Sequence, residues 1–422
     1  MRQSLDFGSL WAAAVVLVAA GAIGVLLAWQ GWRGRGPDTD VIASMVRAAA
    51  LVDRGAVPRR GNLTDHNSFR PPGLSWLLVP GVAMFDDPRQ IELAACALLY
   101  VGTLAGVWAL GRLLGGTHVA VLAWLFYAWS SVAIYFAHTM QPKAYPMFGV
   151  WMMYCVVRWV STRSAGWFAA ACVVCAAGMY VHIEMAILLV ALPVAWWRGR
   201  PPLTMVAAAT ALVAIAVMWW PYIDFQRERG FVDLASQLLL KRIDQRGPET
   251  VPWCGEDPLP APHFVDSERD HPGLVGRARA IPELVLMNFE SRVPGAPFVL
   301  LAACTAGVLL AVRGRGRAPE RAQTVAGSLL VTVAILSLLT EPGVPRQQMV
   351  WPLEVLMIAT VVDRFRPSRR LAAAVALLGC VAINAEVMTL VRHWAREGWS
   401  GVDPPQIQAA DFRAARCEDE RP

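Results

Sequence analysis

The sequence predicts an all-α polytopic membrane protein with about 11 transmembrane helices and its N-terminus inside. Three observations carry this expectation. Of 422 residues, 56% are hydrophobic and only 17% charged, with mean hydropathy +0.43; soluble domains run about 25% charged. Apolar stretches of helix length recur along nearly the whole chain, so the pattern is one membrane domain rather than a soluble domain with an anchor. Arginines gather in the short loops on one side of the resulting map. This composition excludes a soluble enzyme, a disordered chain and a DNA-binding module. The net charge of +6 is almost all arginine, Lys143 and Lys241 being the only lysines. It marks topology, and no nucleic-acid partner is expected. Eighteen tryptophans suit a chain with many membrane–water interfaces.

In order, the spans are read at 10–29, 90–111, 119–137, 144–160, 166–181, 184–197, 203–222, 297–312, 325–340, 349–362 and 371–390. Behind the first, Gln30-Gly31-Trp32-Arg33 lacks a small-residue cleavage site, so a retained helix is expected. With these spans, the clusters at Arg2, Arg112, Arg158/Arg163, Arg198/Arg200, Arg313–Arg321 and Arg364–Arg370 all fall on the N-terminal side. The positive-inside rule makes that side cytoplasmic. External loops then cover 30–89, 138–143, 223–296 and 341–348, and the membrane domain 1–390 is followed by an external tail, 391–422.

Two segments are decided by this parity. Leu74–Phe85 is apolar but short, and counting it as a span would invert every later loop; it is read as an interfacial helix beneath the first outer loop. Residues 166–197 have arginines at both ends and His182-Ile183-Glu184 midway, so they need an even number of crossings and are read as a tight helical pair. Six cysteines sit inside apolar stretches as small packing residues. Cys172 and Cys175 lack the second pair that a zinc site needs, and Cys254 and Cys417 lie in polar segments, where a pairing is left open.

Polar chemistry concentrates outside. The first loop carries Asp38, Asp40, Asp53, Asp65, His66 and Arg70 before the stiff Pro71-Pro72-Gly73; the second, 223–296, is rich in acids and prolines. Short outer turns read His138-Thr139-Met140-Gln141-Pro142-Lys143-Ala144-Tyr145 and Glu341-Pro342-Gly343-Val344-Pro345-Arg346. No Walker glycine loop, H-E-x-x-H, Gly-x-Ser-x-Gly or internal repeat occurs. Without an ATP motif, the driving force must come from an activated substrate or a gradient.

Four stretches, in order, resemble the GT-C superfamily of membrane glycosyltransferases, which includes protein O-mannosyltransferases and lipid A aminoarabinose transferases. They are Pro37-Asp38-Thr39-Asp40 with Gly55 beyond a helix; Phe69-Arg70-Pro71-Pro72-Gly73; Ala133–His138 with Met140–Tyr145; and Pro345-Arg346 to Leu353. Gly178–His182 echoes a further helix turn. The family's acid and arginine in the third stretch are here Gln141 and Lys143, and Thr39 separates two aspartates where the family often has adjacent acids.

The resemblance implies transfer of a sugar from a polyprenyl-phosphate donor to an acceptor on the outer face of a bacterial-type inner membrane, with inversion. It implies Asp40, or Asp38, as general base on the acceptor. It also implies that Lys143, Arg70, Arg346, His66 and Tyr145 meet the lipid phosphate or sugar. The lipid-linked sugar is the co-substrate, the bilayer and a glycan, lipid or protein acceptor the other partners. The pattern leaves room for a divalent metal, with His66 as one contact. Each residue also has a plainer role: Asp40 as a helix cap, Lys143 as a snorkelling anchor, Arg70 and Arg346 as surface charges, His66 as a loop residue, His182 with Glu184 as a structural pair. The competing classes are a transporter or flippase, which would show paired broken helices, and an accessory subunit that has lost activity.

Overall fold

The computed structural model describes residues 39–62, 69–128, 140–239, 242–244, 263–265, 296–313, 326–327, 331 and 351–364. It is mostly helical. The spans expected at 10–29 and 371–390, most of 325–340, and the tail lie outside the described residues.

The first helix, α1 (Thr39–Arg54), is amphipathic: Val41, Ile42, Met45, Val46, Ala48 and Ala49 are buried. Gly55 stops it. With φ 70° it takes the left-handed conformation that favours glycine, and its N–H bonds the Leu51 carbonyl at 3.0 Å. The Asp40-to-Gly55 spacing is therefore the length of one capped helix.

The apolar α2 (Gly73–Met84) has 12 residues and is about 18 Å long, too short for a hydrocarbon core of about 30 Å. This agrees with the reading of Leu74–Phe85 as a non-spanning helix. α2 lies against α1, with Leu74, Leu78 and Val82 in one core with Met45 and Ala49. Its start is fixed by close approach: a Cβ on Gly73 would stand 2.3 Å from the Tyr180 carbonyl oxygen. Gly73→Ala is therefore expected to destabilise the fold by roughly 1–3 kcal/mol through overpacking. A thermal-unfolding midpoint equal to wild type, measured in detergent, would contradict this contact.

The next helix, α3 (Pro88–Ala128), covers the span expected at 90–111 and the described part of that expected at 119–137, joined by a break at Gly116 (φ 82°). Its arms run antiparallel: Tyr100 donates to the Ala128 carbonyl at 2.9 Å, and a Cβ on Gly111 would lie 2.7 Å from the Ala120 Cα. α4 (Met140–Thr162) runs parallel to the first arm, Gly102 facing Met147 and Gly106 facing Val150. α5 (Ala165–Val181) then leads through extended His182 into a 3-10 segment, Ile183–Val190, and α6 (Ala191–Gly199). The second arm was expected as one short α-helix over 184–197; it begins instead as a 3-10 helix. Eight residues at about 2.0 Å and nine at about 1.5 Å give about 30 Å, so the tighter winding lets a short arm reach bilayer thickness.

The span expected at 203–222 is longer than expected: α7 (Met205–Glu228) continues six residues past it, carrying Asp224 and Glu228. Within 223–296, read as an external loop rich in acids and prolines, lie α8 (Val232–Leu239) and a short antiparallel ribbon, β1 (Arg242–Asp244) with β2 (His263–Val265), where Ile243 pairs with Phe264. The described fold is mostly helical, as expected, with this one short ribbon added to it. α9 (Ala296–Arg313) and α10 (Trp351–Arg364) run parallel, Gly307 against Met357.

Packing gathers the described arginine clusters at one end of the bundle. Arg163 donates to the Arg200 carbonyl at 3.0 Å, Trp159 to the Pro202 carbonyl at 2.9 Å, and His118, beside Arg112, meets Asp363 at 2.7 Å. The first loop sits at the opposite end, against the C-terminal ends of α5 and α7. Exposed tryptophans mark both ends: Trp76 and Trp220 near the loop, Trp196 and Trp197 near the arginines. Not every tryptophan is such an anchor. Trp151, Trp159 and Trp219 donate to carbonyls of neighbouring segments and so tie those segments together. Between the belts, α7 exposes Met205, Val206, Leu212, Val213 and Val217, an apolar face that suits lipid. α3 and α7 are long and apolar enough to cross a membrane by length and composition.

Candidate active site

The first loop comes back on itself as a short paired turn. The Gly61 N–H donates to the Arg70 carbonyl at 2.7 Å, and the Arg70 N–H to the Asn62 carbonyl at 2.9 Å. Asn62 is tied to α1, its Oδ1 accepting from Ser44 at 3.3 Å and Arg47 at 2.5 Å. Gly61, Asn62, Arg70, Pro71, Leu74, Val181 and His182 line a small open pocket at this end. Arg70 is half-buried there, and His182, at the extended break after α5, is buried.

The residue before Arg70 is held on every side. Phe69 is fully buried; its N–H donates to Asp233 Oδ1 at 3.1 Å, and its carbonyl accepts from the Tyr222 hydroxyl at 2.8 Å. Its ring meets Phe225 edge-on at 5.7 Å and lies beneath the guanidinium groups of Arg60 at 4.7 Å and Arg229 at 5.4 Å. Asp233 is itself buried and accepts from Arg229 Nε at 2.6 Å and Gln226 Nε2 at 3.2 Å. A buried carboxylate is tolerable when so many donors meet it. Further out, Arg59 bridges Asp224 at 2.8 Å and Glu228 at 2.7 Å.

The turn between α7 and α8 aims Asp233 back under the loop. Gly230 (φ 64°) and Phe231 (φ 59°) are both left-handed. A phenylalanine there costs about 1–3 kcal/mol and persists only where its surroundings hold it. Here the Phe231 N–H bonds the Gln226 carbonyl at 2.7 Å.

Of the expected site residues, Arg70 is placed in the pocket. Asp40 is the second residue of α1, one turn before Ser44, and Lys143 and Tyr145 lie in the first turns of α4; their side chains are outside the described residues. α1 and α4 start at the same end of the bundle, since Met147 packs on the core that holds α1 and α2. Asp38, His66 and Arg346 lie outside the described residues. Arg346 precedes Trp351, which stands at the end of α10 away from Asp363 and the arginines. Among the described residues no group of three or more His, Cys, Asp or Glu could hold a metal ion. The sequence reading missed Asn62, Tyr222, Arg229 and Asp233. Nothing in their spacing marks them; only the fold brings 222–233 against Arg59, Arg60 and Phe69.

Residues 69–220 match the family model for dolichyl-phosphate-mannose-protein mannosyltransferases, about a third of the chain. No curated protein matches the chain by sequence. Among solved structures, ArnT from Cupriavidus metallidurans bound to undecaprenyl phosphate is similar with TM-score 0.59 at 15% identity, over 98% of this chain and 69% of that one. ArnT in the apo state gives 0.57 at 16%, over 96% and 69%. The archaeal oligosaccharyltransferase AglB from Archaeoglobus fulgidus, in complex with an inhibitory peptide and a dolichol-phosphate, gives 0.54 at 12%, over 93% of this chain and 56% of that one. At these identities the solved structures establish the fold. The chain thus has the GT-C fold that ArnT and AglB share, with the mannosyltransferase family pattern over residues 69–220.

Proposed function

We propose that the protein moves a sugar from a polyprenyl-phosphate donor to an acceptor at the outer face of a bacterial-type inner membrane. Asp40 takes the acceptor's proton as the acceptor attacks the anomeric carbon. The bond to the lipid phosphate breaks, with inversion, and the electron pair leaves with the phosphate. The observation that carries the reading is the placement of Arg70. Its backbone is bonded on both sides, and it faces a pocket at the end of the bundle away from the arginine clusters.

Physical chemistry supports each role. A hydroxyl is a weak nucleophile until a carboxylate takes its proton. The leaving phosphate gathers charge as the bond breaks, and a fixed guanidinium there stabilises the transition state more than the ground state. The donor's bond to phosphate supplies the free energy. Position 40 lies on the same face of α1 as Ser44, one turn before it, and Ser44 bonds the pocket residue Asn62. Lys143, Tyr145, Arg346 and His66 complete the proposed contacts to phosphate, sugar and acceptor. Asp38 is the second candidate base.

Incubating membranes that contain the protein with labelled polyprenyl-phosphate sugars tests this. Label should leave the donor and enter lipid, glycan or protein. Label that only crosses the membrane, still on its lipid, would favour a flippase instead. Sidedness has its own check. Reporter fusions at Arg315 and near Arg416 should report cytoplasm and periplasm respectively. Both on one side would overturn the 11-span map and the outward site.

A further inference from the structure

Two tethers reach the main chain of Phe69, immediately before Arg70, and both come from the far side of the sequence. Asp233 accepts its N–H and Tyr222 donates to its carbonyl, 164 and 153 residues away. The ring cannot swing either, since Phe225, Arg60 and Arg229 enclose it. Arg70 is therefore the first residue beyond a fixed point, and Pro71-Pro72 stiffens the chain just after it. A long guanidinium side chain is otherwise mobile, and meeting a phosphate with two parallel N–H bonds demands a fixed approach.

From this we infer that Asp233 and Tyr222 are positioning residues for the donor phosphate. They form a clamp at the start of the second outer loop that presents Arg70 to the pocket in its binding orientation. The inference rests on the reading of Arg70 as the phosphate contact. Asp233 is suited to the task. Arg229 and Gln226 hold its carboxylate, and the two left-handed residues at Gly230 and Phe231 turn α8 back beneath the first loop. The clamp also joins the two long outer loops, so a displacement of α8 reaches Arg70 through a single peptide unit.

The test compares undecaprenyl phosphate with undecaprenol, its uncharged counterpart, for binding to the purified full chain in detergent. Wild type should prefer the phosphate, and Arg70→Ala should cut that preference by more than tenfold, Lys143 and Arg346 keeping the remainder. Asp233→Asn should reduce it roughly tenfold, by loosening orientation, with undecaprenol binding unchanged. Tyr222→Phe removes one hydroxyl and should reduce it several-fold. In the Arg70→Ala background neither change should have a further effect. Equal losses for both lipids, or full effects without Arg70, would make the clamp merely structural and overturn the inference. Should Asp233→Asn not fold, the Tyr222→Phe ratio decides: an unchanged preference overturns it. If Arg70→Ala leaves the preference at its wild-type value, it is the reading of Arg70 that fails.

Discussion

Asp40→Asn is expected to lower turnover by roughly 10²–10⁴-fold, the usual cost of losing a general base. Asparagine keeps the shape, and α1 is held by its buried apolar face, so the helix should form as before. It cannot accept the acceptor's proton. Donor binding should change little, because the phosphate contacts lie elsewhere. The measurement is the initial rate of label transfer from a polyprenyl-phosphate sugar, with donor binding followed in parallel. Asp38→Asn should be milder. If Asp40→Asn stays within a few-fold of wild type while Asp38→Asn is dead, the base lies two residues earlier. Should both stay active, the proposed mechanism is wrong.

Arg70→Ala should cost roughly 10²–10³-fold in turnover, the range seen when a preorganised donor to a developing anion is removed. Arg70→Lys keeps the charge but loses the planar two-pronged donor, so it should recover only part of the rate. Stability should move little. Arg70 is half-exposed, and the bonds of the loop run through its backbone, which alanine keeps. A drop in the thermal-unfolding midpoint matching the loss of rate would assign Arg70 to the fold rather than the chemistry. A KM increase with unchanged kcat would mean that it binds substrate and transition state equally.

The two residues were legible to different degrees. Arg70 stood in a run, Phe69 to Gly73, whose prolines and glycine announce a stiff turn before an apolar helix, and the structure places it in the pocket. Asp40 was legible through its distance from Gly55, which proves to be the length of α1, closed by a left-handed glycine. The clamp beneath Arg70 was not legible. Tyr222, Arg229 and Asp233 read as the frayed end of a span and the start of a polar loop. Burial of a charged pair is a property of three-dimensional neighbours and leaves no periodic trace.

By itself the sequence determined the membrane class, the approximate place of the described helices and the grouping of arginines, because lipid solvation acts residue by residue and repeats at helix length. It also determined that α2 would be a short helix, 12 residues against the roughly 20 that cross a hydrocarbon core. The tertiary structure decided what depends on pairs of distant residues. It showed that Gly73 must meet the Tyr180 backbone and that a 3-10 winding completes the second arm of the hairpin. It alone showed that Asp233 and Tyr222 hold Phe69 from more than 150 residues away. Hydrogen bonds and close packing are made only where two surfaces meet at ångström distances, and that meeting is fixed by the fold, not by any local pattern along the chain.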